Sequence, residues 1–301
     1  MSARGRLVLV DASIWIFRAA FAVPEALVDD RGRPANALHG WIAFLLEELT
    51  LGPAALGVAF DEALGTGFRH ALHPGYKAER VLPDPELAHQ LEACRRFAEA
   101  LGLCCAASDR YEADDLLATA ARGGREHGWT VEVVSRDKDL LQLLRGADHM
   151  REGPRGRVTE VDAVRARFGV GPERLPDWLG LAGDRIDGIP GVPRVGARTA
   201  SALLERHGHL EGLYGALDTR AEAALSGVRG AAGLQRRLLA HREDAFLSRR
   251  LARALDDAPV AFEPWRAGAP RPDRARLAAA LAEVDLAGRF ARRLERWEPA
   301  A

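Results

Sequence analysis

The chain has little of several things that would settle its class. Cysteine occurs only at 94, 104 and 105 in 301 residues. An odd number with no CxxC spacing and no histidines beside it excludes a disulfide framework and a thiolate zinc site, and the expected compartment is a reducing cytoplasm. No apolar run approaches the roughly 20 residues of a membrane span, so no membrane partner is expected. Arg4 and Arg6 precede an apolar stretch, but Asp11 and Arg18 interrupt it and no small-residue cleavage pattern follows, which excludes a secretory signal. Lysine is nearly missing, occurring only as Lys77 and Lys138, so almost all positive charge is arginine. Internal repeats and low-complexity tracts are absent as well.

Net charge is also small, at −1, which seems to argue against a nucleic-acid partner. Setting aside the nine clustered carboxylates described next leaves +8 for the rest of the chain, so near-neutrality can conceal a basic surface. The length is comfortable for two domains. Boundaries at 1–165 and 166–301 are expected, because strand signals fade after about residue 165.

What the chain does have is carboxylate in a pattern. Asp11 follows the apolar run 7–10, Asp61 follows 54–60, and Asp137 and Asp139 follow 129–134. Apolar runs separated by amphipathic stretches at 37–49 and 87–101 predict an α/β fold with buried parallel strands and crossover helices. Ligands bind beyond the carboxyl ends of such strands, which brings these acids to one edge. Glu112, Asp114 and Asp115 open a predicted helix over 112–121, with Ser108 or Asp109 as caps and Gly123-Gly124 closing it. The helix dipole accounts for one or two acids in a first turn, not three. Asp184 and Asp187 complete the set. Carboxylates without thiol or imidazole partners suit hard ions, Mg²⁺ or Mn²⁺, and their number suggests two ions and phosphoryl transfer.

The second half reads as helical. A helix over 175–181, a turn-rich stretch over 184–196 and a helix over 197–207 make a helix-hairpin-helix pattern at about 175–207. Its glycines allow close backbone approach, and the free amides of the second helix are suited to a phosphate. Residues 216–301 read as further helices with a Pro-rich break at 264–272.

The stretches VDAS, VAFD, FRH, GYKAER, YEADD, SRDKD, GDRID, GIPGVPRVGARTA and HREDAFLSRRLA occur in order across roughly residues 5–260. Together they resemble the bacterial 5′ nucleases, also called flap endonucleases or 5′–3′ exonucleases, which occur alone or as the N-terminal domain of DNA polymerase I. The resemblance implies a PIN-like sheet with a helical arch at about 63–95 and a helical C-terminal domain with the hairpin. It implies metal ligation by Asp11, Asp61, Glu112, Asp114 and Asp115 mainly at a first ion, and by Asp137, Asp139, Asp184 and Asp187 mainly at a second. Tyr76, Lys77 and Arg80 match arch residues that face the scissile phosphate. Arg69, Gly191, Arg194, Gly196, Arg198 and Thr199 match DNA-contacting positions, and a potassium ion at the hairpin is implied. The histidines of the arch, His70 and His73, are expected to be solvated or packed.

The expected activity is Mg²⁺-dependent hydrolysis of DNA at 5′ ends or flaps near single-strand/duplex junctions, by a monomer associated with the nucleoid. The chain ends near 301, so a stand-alone protein without a polymerase domain is expected. Ala12, Phe17 and Gly188 depart from the family's usual glycine, tyrosine and asparagine. Gly188 is expected to loosen the loop holding Asp187, which keeps open an alternative, a weakly active or non-catalytic binder of branched DNA. A toxin-type ribonuclease is disfavoured because those proteins are shorter and lack the hairpin.

Overall fold

In the computed structural model, which describes residues 5–29, 31–63, 65–227, 230–282, 290 and 294, the first half runs β1 (Arg6–Asp11), α1 (Ala12–Ala22), α2 (Asn36–Thr50), β2 (Ala55–Asp61), α3 (Phe68–Leu72), α4 (Pro85–Ala100), β3 (Cys104–Ser108), α5 (Ala113–Glu126) and β4 (Thr130–Val134). There follow β5 (His149–Arg151), β6 (Val158–Glu160), α6 (Val161–Phe168), α7 (Leu175–Ala182), α8 (Ala197–His207), α9 (Leu210–Ala224), α10 (Ala231–Ala240), α11 (Arg242–Ala252), α12 (Pro264–Ala267) and α13 (Arg274–Ala282). The expected helical content beyond 282 lies largely outside the described residues. Among those described, no helix is long and apolar enough to cross a membrane.

The strands form one sheet in the order β3-β2-β1-β4-β5-β6, parallel except for the β5–β6 pair. Leu7 and Leu9 of β1 face α5 and the C-terminal helices, while Val8 and Val10 face α1, α2 and α4. Helices cover both faces, so the strand reads as a continuous apolar run. Strand order reverses at β1, with β2 on one side and β4 on the other. That reversal is where α/β sheets open a crevice beyond the strand ends.

Several expectations are corrected. The segment 63–95 carries two helices, α3 of five residues and the start of α4, joined by turn and extended chain over 73–84, and α4 is buried through Ala93, Cys94 and Phe97. Pro74, Gly75, Pro83 and Pro85 within a dozen residues prevent a longer helix. Gly123 and Gly124 do not end α5. They lie inside it, where a Cβ would fall 2.3 Å from Trp265 and 2.5 Å from Leu7, respectively. The stretch expected as a Pro-rich break contains α12, which seats Pro264 on β2 at Gly57 and Trp265 on α5. The boundary placed at 165 falls inside α6, and one apolar cluster continues from the sheet into α7, α8, α9 and α10.

Candidate metal centre and nucleic-acid interface

Asp11 and Asp61 are the last residues of β1 and β2. Two serines fix this acidic edge. Ser13 Oγ accepts the Asp61 backbone N–H at 3.0 Å, while fully buried Ser135 donates to Asp11 Oδ2 at 2.8 Å and accepts the Asp137 N–H at 3.0 Å. Neither serine was among the sequence candidates. The available signal was a small hydroxyl residue two positions from a strand-end acid. Asp137 in turn accepts the Asp139 N–H at 2.8 Å and opens a 3-10 turn over Lys138–Leu143.

The acids line two adjoining cavities. One of about 580 Å³ is lined by Asp11, Asp61, Glu112, Asp114 and Asp137, with Lys77 and Arg80 on its wall. The other, about 490 Å³, is lined by Asp137, Asp139, Asp184 and Asp187, with Lys138 and Arg80. Asp137 and Arg80 border both. Arg80 lies 3.8 Å from Asp61 and 3.7 Å from Asp187, and Lys138 is hydrogen-bonded to Asp184.

Three residues take roles other than those expected. Asp115 is fully buried, and its oxygens accept two 2.7 Å bonds from Arg69 and the backbone N–H groups of Glu112 and Leu255. Arg69, 2% exposed, cannot reach DNA; it also donates to the carbonyls of Leu251 and Arg253, tying α3 to α5 and to the end of α11. Tyr76, 3% exposed, donates its hydroxyl to Glu112 at 3.0 Å. The same Glu112 oxygen accepts from Lys77 Nζ at 2.9 Å. His70 packs edge-on against Tyr76, in keeping with a packing role.

The electrostatics follow from crowding. Burial, then the charges of Asp137 and Asp61, lift Asp11 to about 6 despite the Ser135 hydrogen bond. Asp139 is pushed up to about 7 by burial and Asp137. Burial followed by Asp137 raises Asp114, and burial followed by Glu112 raises Asp61 against Lys77 and Arg80. Glu112 goes the other way: burial would raise it, but Lys77 and Arg69 outweigh that and hold it below the usual range.

This donor set fits a hard divalent ion. It is all carboxylate oxygen, it is short of positive charge, and Asp61 Oδ1 is buried without a hydrogen-bond partner. Among the described residues no three His, Cys, Asp or Glu groups converge closely enough to hold an ion, and Lys77, Arg80 and Lys138 stand as counter-ions to Glu112, Asp61 and Asp184.

A pH dependence follows. The folded pKa values of Asp11 and Asp139 lie above the ordinary 3.8, so the folded protein binds more protons than the unfolded chain, and this part of the stability is lost as pH rises through 6–7. In EDTA, Tm is expected to fall between pH 6 and pH 8. Mg²⁺ binding near pH 6.5 is expected to release protons, measurable by titration calorimetry in buffers of different ionisation enthalpy.

The hairpin spans α7 and α8 as expected. Gly183, Gly188 and Gly191 of its loop have φ between +63° and +69°, and Gly191 donates its N–H to buried Ser248 on α11 at 2.8 Å. No side chain caps α8, and Gly196, Ala197 and Arg198 at its start are exposed, with Thr199 half-buried. Exposed Arg194 has a φ of +62°, a conformation that costs a non-glycine residue about 1–2 kcal/mol. Arg194→Gly is therefore expected to hold or raise Tm while weakening duplex binding, with the slope of log K against log salt reduced by about 0.9. Salt-dependent fluorescence anisotropy checks this.

Gly188 does not loosen its loop as expected from sequence. A Cβ there would fall 2.2 Å from the Gly75 carbonyl, so the glycine allows tight packing against the Lys77 turn.

Residues 6–169 match the family model described as 5'-3' exonuclease, N-terminal resolvase-like domain, and residues 170–275 match 5'-3' exonuclease, C-terminal SAM fold. DNA polymerase I of Pseudomonas aeruginosa is 38% identical over 281 residues, covering 93% of this chain but only 30% of that relative's length. The fold is similar to that of T5 D15 protein co-crystallised with metal ions, at a TM-score of 0.65 and 16% identity over 97% of this chain and 96% of that one. It is also similar to the catalytic core of Rad2 in complex with DNA substrate, at a TM-score of 0.61 and 13% identity over 97% and 92%. With consecutive models matching most of its length, the chain belongs to the 5'-3' exonuclease family.

Proposed function

We propose that the protein hydrolyses DNA phosphodiester bonds at 5′ ends or 5′ flaps near single-strand/duplex junctions, using two divalent ions, Mg²⁺ or Mn²⁺. The observation that carries this reading is the pair of adjoining carboxylate-lined cavities bridged by Asp137, with Lys77 and Arg80 on their walls. Asp11, Asp61, Glu112, Asp114 and Asp137 would hold one ion; Asp137, Asp139, Asp184 and Asp187 would hold the other. Such ions supply charge neutralisation and activation of water for attack at phosphorus.

The protein's own groups do the rest. Lys77 and Arg80 offset charge developing on the non-bridging phosphate oxygens, a preorganised contribution of a few kcal/mol at most. Tyr76 and the Arg69–Asp115 pair hold Glu112 in place. The hairpin grips the duplex backbone through the α8 amides, Gly196, Thr199, Arg194 and Arg198, whereas Gly191, expected among these contacts, is buried with its N–H on Ser248 and shapes the loop instead; hairpin carbonyls are suited to a potassium ion. Such contacts select structure over sequence.

The test is incubation of the protein with a 5′-flap duplex, with and without Mg²⁺. Metal-dependent release of the flap with a 5′-phosphate product is expected. Flap binding without cleavage at any Mg²⁺ or Mn²⁺ concentration would leave only the branched-DNA binder.

A further inference from the structure

The turn that carries Lys77 rests on the loop that carries Asp187, and the two meet at Gly188. Lys77 donates its backbone N–H to the Asp187 carbonyl at 3.0 Å, and its φ of +48° is one that side-chain-bearing residues seldom adopt. Gly188 has a φ of +65°, and a Cβ there would lie 2.2 Å from the Gly75 carbonyl oxygen and 3.4 Å from the Lys77 nitrogen. The closest group is backbone, so no rotamer change relieves that contact. The loop beneath is stiff, because Asp184 and Ile189 exchange backbone hydrogen bonds of 2.9 and 2.7 Å. Above it, Tyr76 is buried with Leu179, Ile189 and Leu251, and Lys77 extends to Glu112 with 9% of its side chain exposed.

We infer that Gly188 is a positioning residue: lacking a Cβ, it lets the 184–189 loop clip the Lys77 backbone, so that the hairpin and the active-site cation are held as one unit. Lys77's chemical role rests on the nuclease reading, whereas the clip rests on backbone geometry alone. Asp187, Gly188 and the hairpin residues up to Gly196 are one short stretch of chain.

The experiment compares the full chain with Gly188→Ala, Gly188→Asn, Lys77→Ala and the Gly188→Ala/Lys77→Ala double variant. Asparagine, usual at this position in the family, tolerates a left-handed φ, so Gly188→Asn reports only the crowding against the Gly75 carbonyl of this chain's turn. In the flap assay both Gly188 variants are expected to lose about 10- to 100-fold in kcat, as for a displaced catalytic group. KM should change little. In the Lys77→Ala background the Gly188 substitution should cost less than about twofold more.

The second readout is limited trypsin digestion without metal or DNA. The parent should be cut after Arg80, beside Val81 at 92% exposure, well before Lys77. The Gly188 variants should be cut after both at similar rates. Parent-like kcat and cutting in both variants, the same fold-loss with and without Lys77, or equal cutting at the two sites in the folded parent would each overturn the clip. A parent that cleaves no DNA would instead remove the nuclease reading and leave the trypsin pattern to decide the clip.

Discussion

Asp137→Asn is expected to lower metal-dependent cleavage by at least about 10²-fold and, in EDTA at neutral pH, to raise Tm by about 2–4 °C. Opposite signs arise because Asp137 borders both cavities and its charge raises the protonation pKa of Asp11, Asp114, Asp139 and Asp187. Removing that charge relieves repulsion in the metal-free protein while removing a donor to either ion. Asparagine keeps an oxygen to accept the Asp139 N–H, so local structure is retained. Cleavage assays beside thermal denaturation, with and without Mg²⁺, check this. A fall in both activity and metal-free Tm would make Asp137 a structural residue.

The second large effect concerns stability. Arg69→Met is expected to destabilise the fold by about 3–5 kcal/mol, because it leaves Asp115 buried and charged without its partner. It also removes the bonds to Leu251 and Arg253 that tie α3 to the end of α11. For a chain of this size the Tm should fall by roughly 10 °C or more. The double variant Arg69→Met/Asp115→Leu should recover only part of the loss: it removes the unpaired buried charge, but leaves the Glu112 and Leu255 N–H groups and the Leu251 and Arg253 carbonyls without these partners. If Asp115 were an ion ligand, Asp115→Asn would weaken Mg²⁺ binding and leave metal-free Tm near the parent's. The geometry predicts lower metal-free Tm with Mg²⁺ affinity, measured below the melting range, largely kept.

The parallel strands β1, β2 and β4 were legible because both faces are buried: β1 and β2 read as apolar runs ending in Asp11 and Asp61, and β4 as a β-branched run, interrupted only by Glu132, with Asp137 three residues beyond its end. β3, with the sequence CCAAS, carries none of that signal, and β5 and β6 have three residues each. All three are strands because neighbouring strands and helices hold them, which local composition does not encode. Acidic residues were legible as a set but not one by one. Glu112, Asp114 and Asp115 sit side by side in sequence, yet helical geometry aims Asp114 at the cavity and Asp115 inward at Arg69. Only knowing which arginine is buried separates them. In the 63–95 segment the motif residues were legible but the helix limits were not, since Pro74, Gly75 and Pro83 keep 73–84 non-helical between α3 and α4. Gly123 and Gly188 look like breakers or loosened turns in sequence, and become contact points once Trp265 and Gly75 are in place.

The carboxylates of the two adjoining cavities are proposed to hold two divalent ions. The most direct measurement is anomalous diffraction from crystals of the protein grown with Mn²⁺. Two peaks are predicted, roughly 4 Å apart, one bordered by Asp11, Asp114 and Asp137 and the other by Asp139, Asp184 and Asp187. A single peak, or Mn²⁺ bound only outside these two cavities at saturating concentration, would contradict a two-ion site.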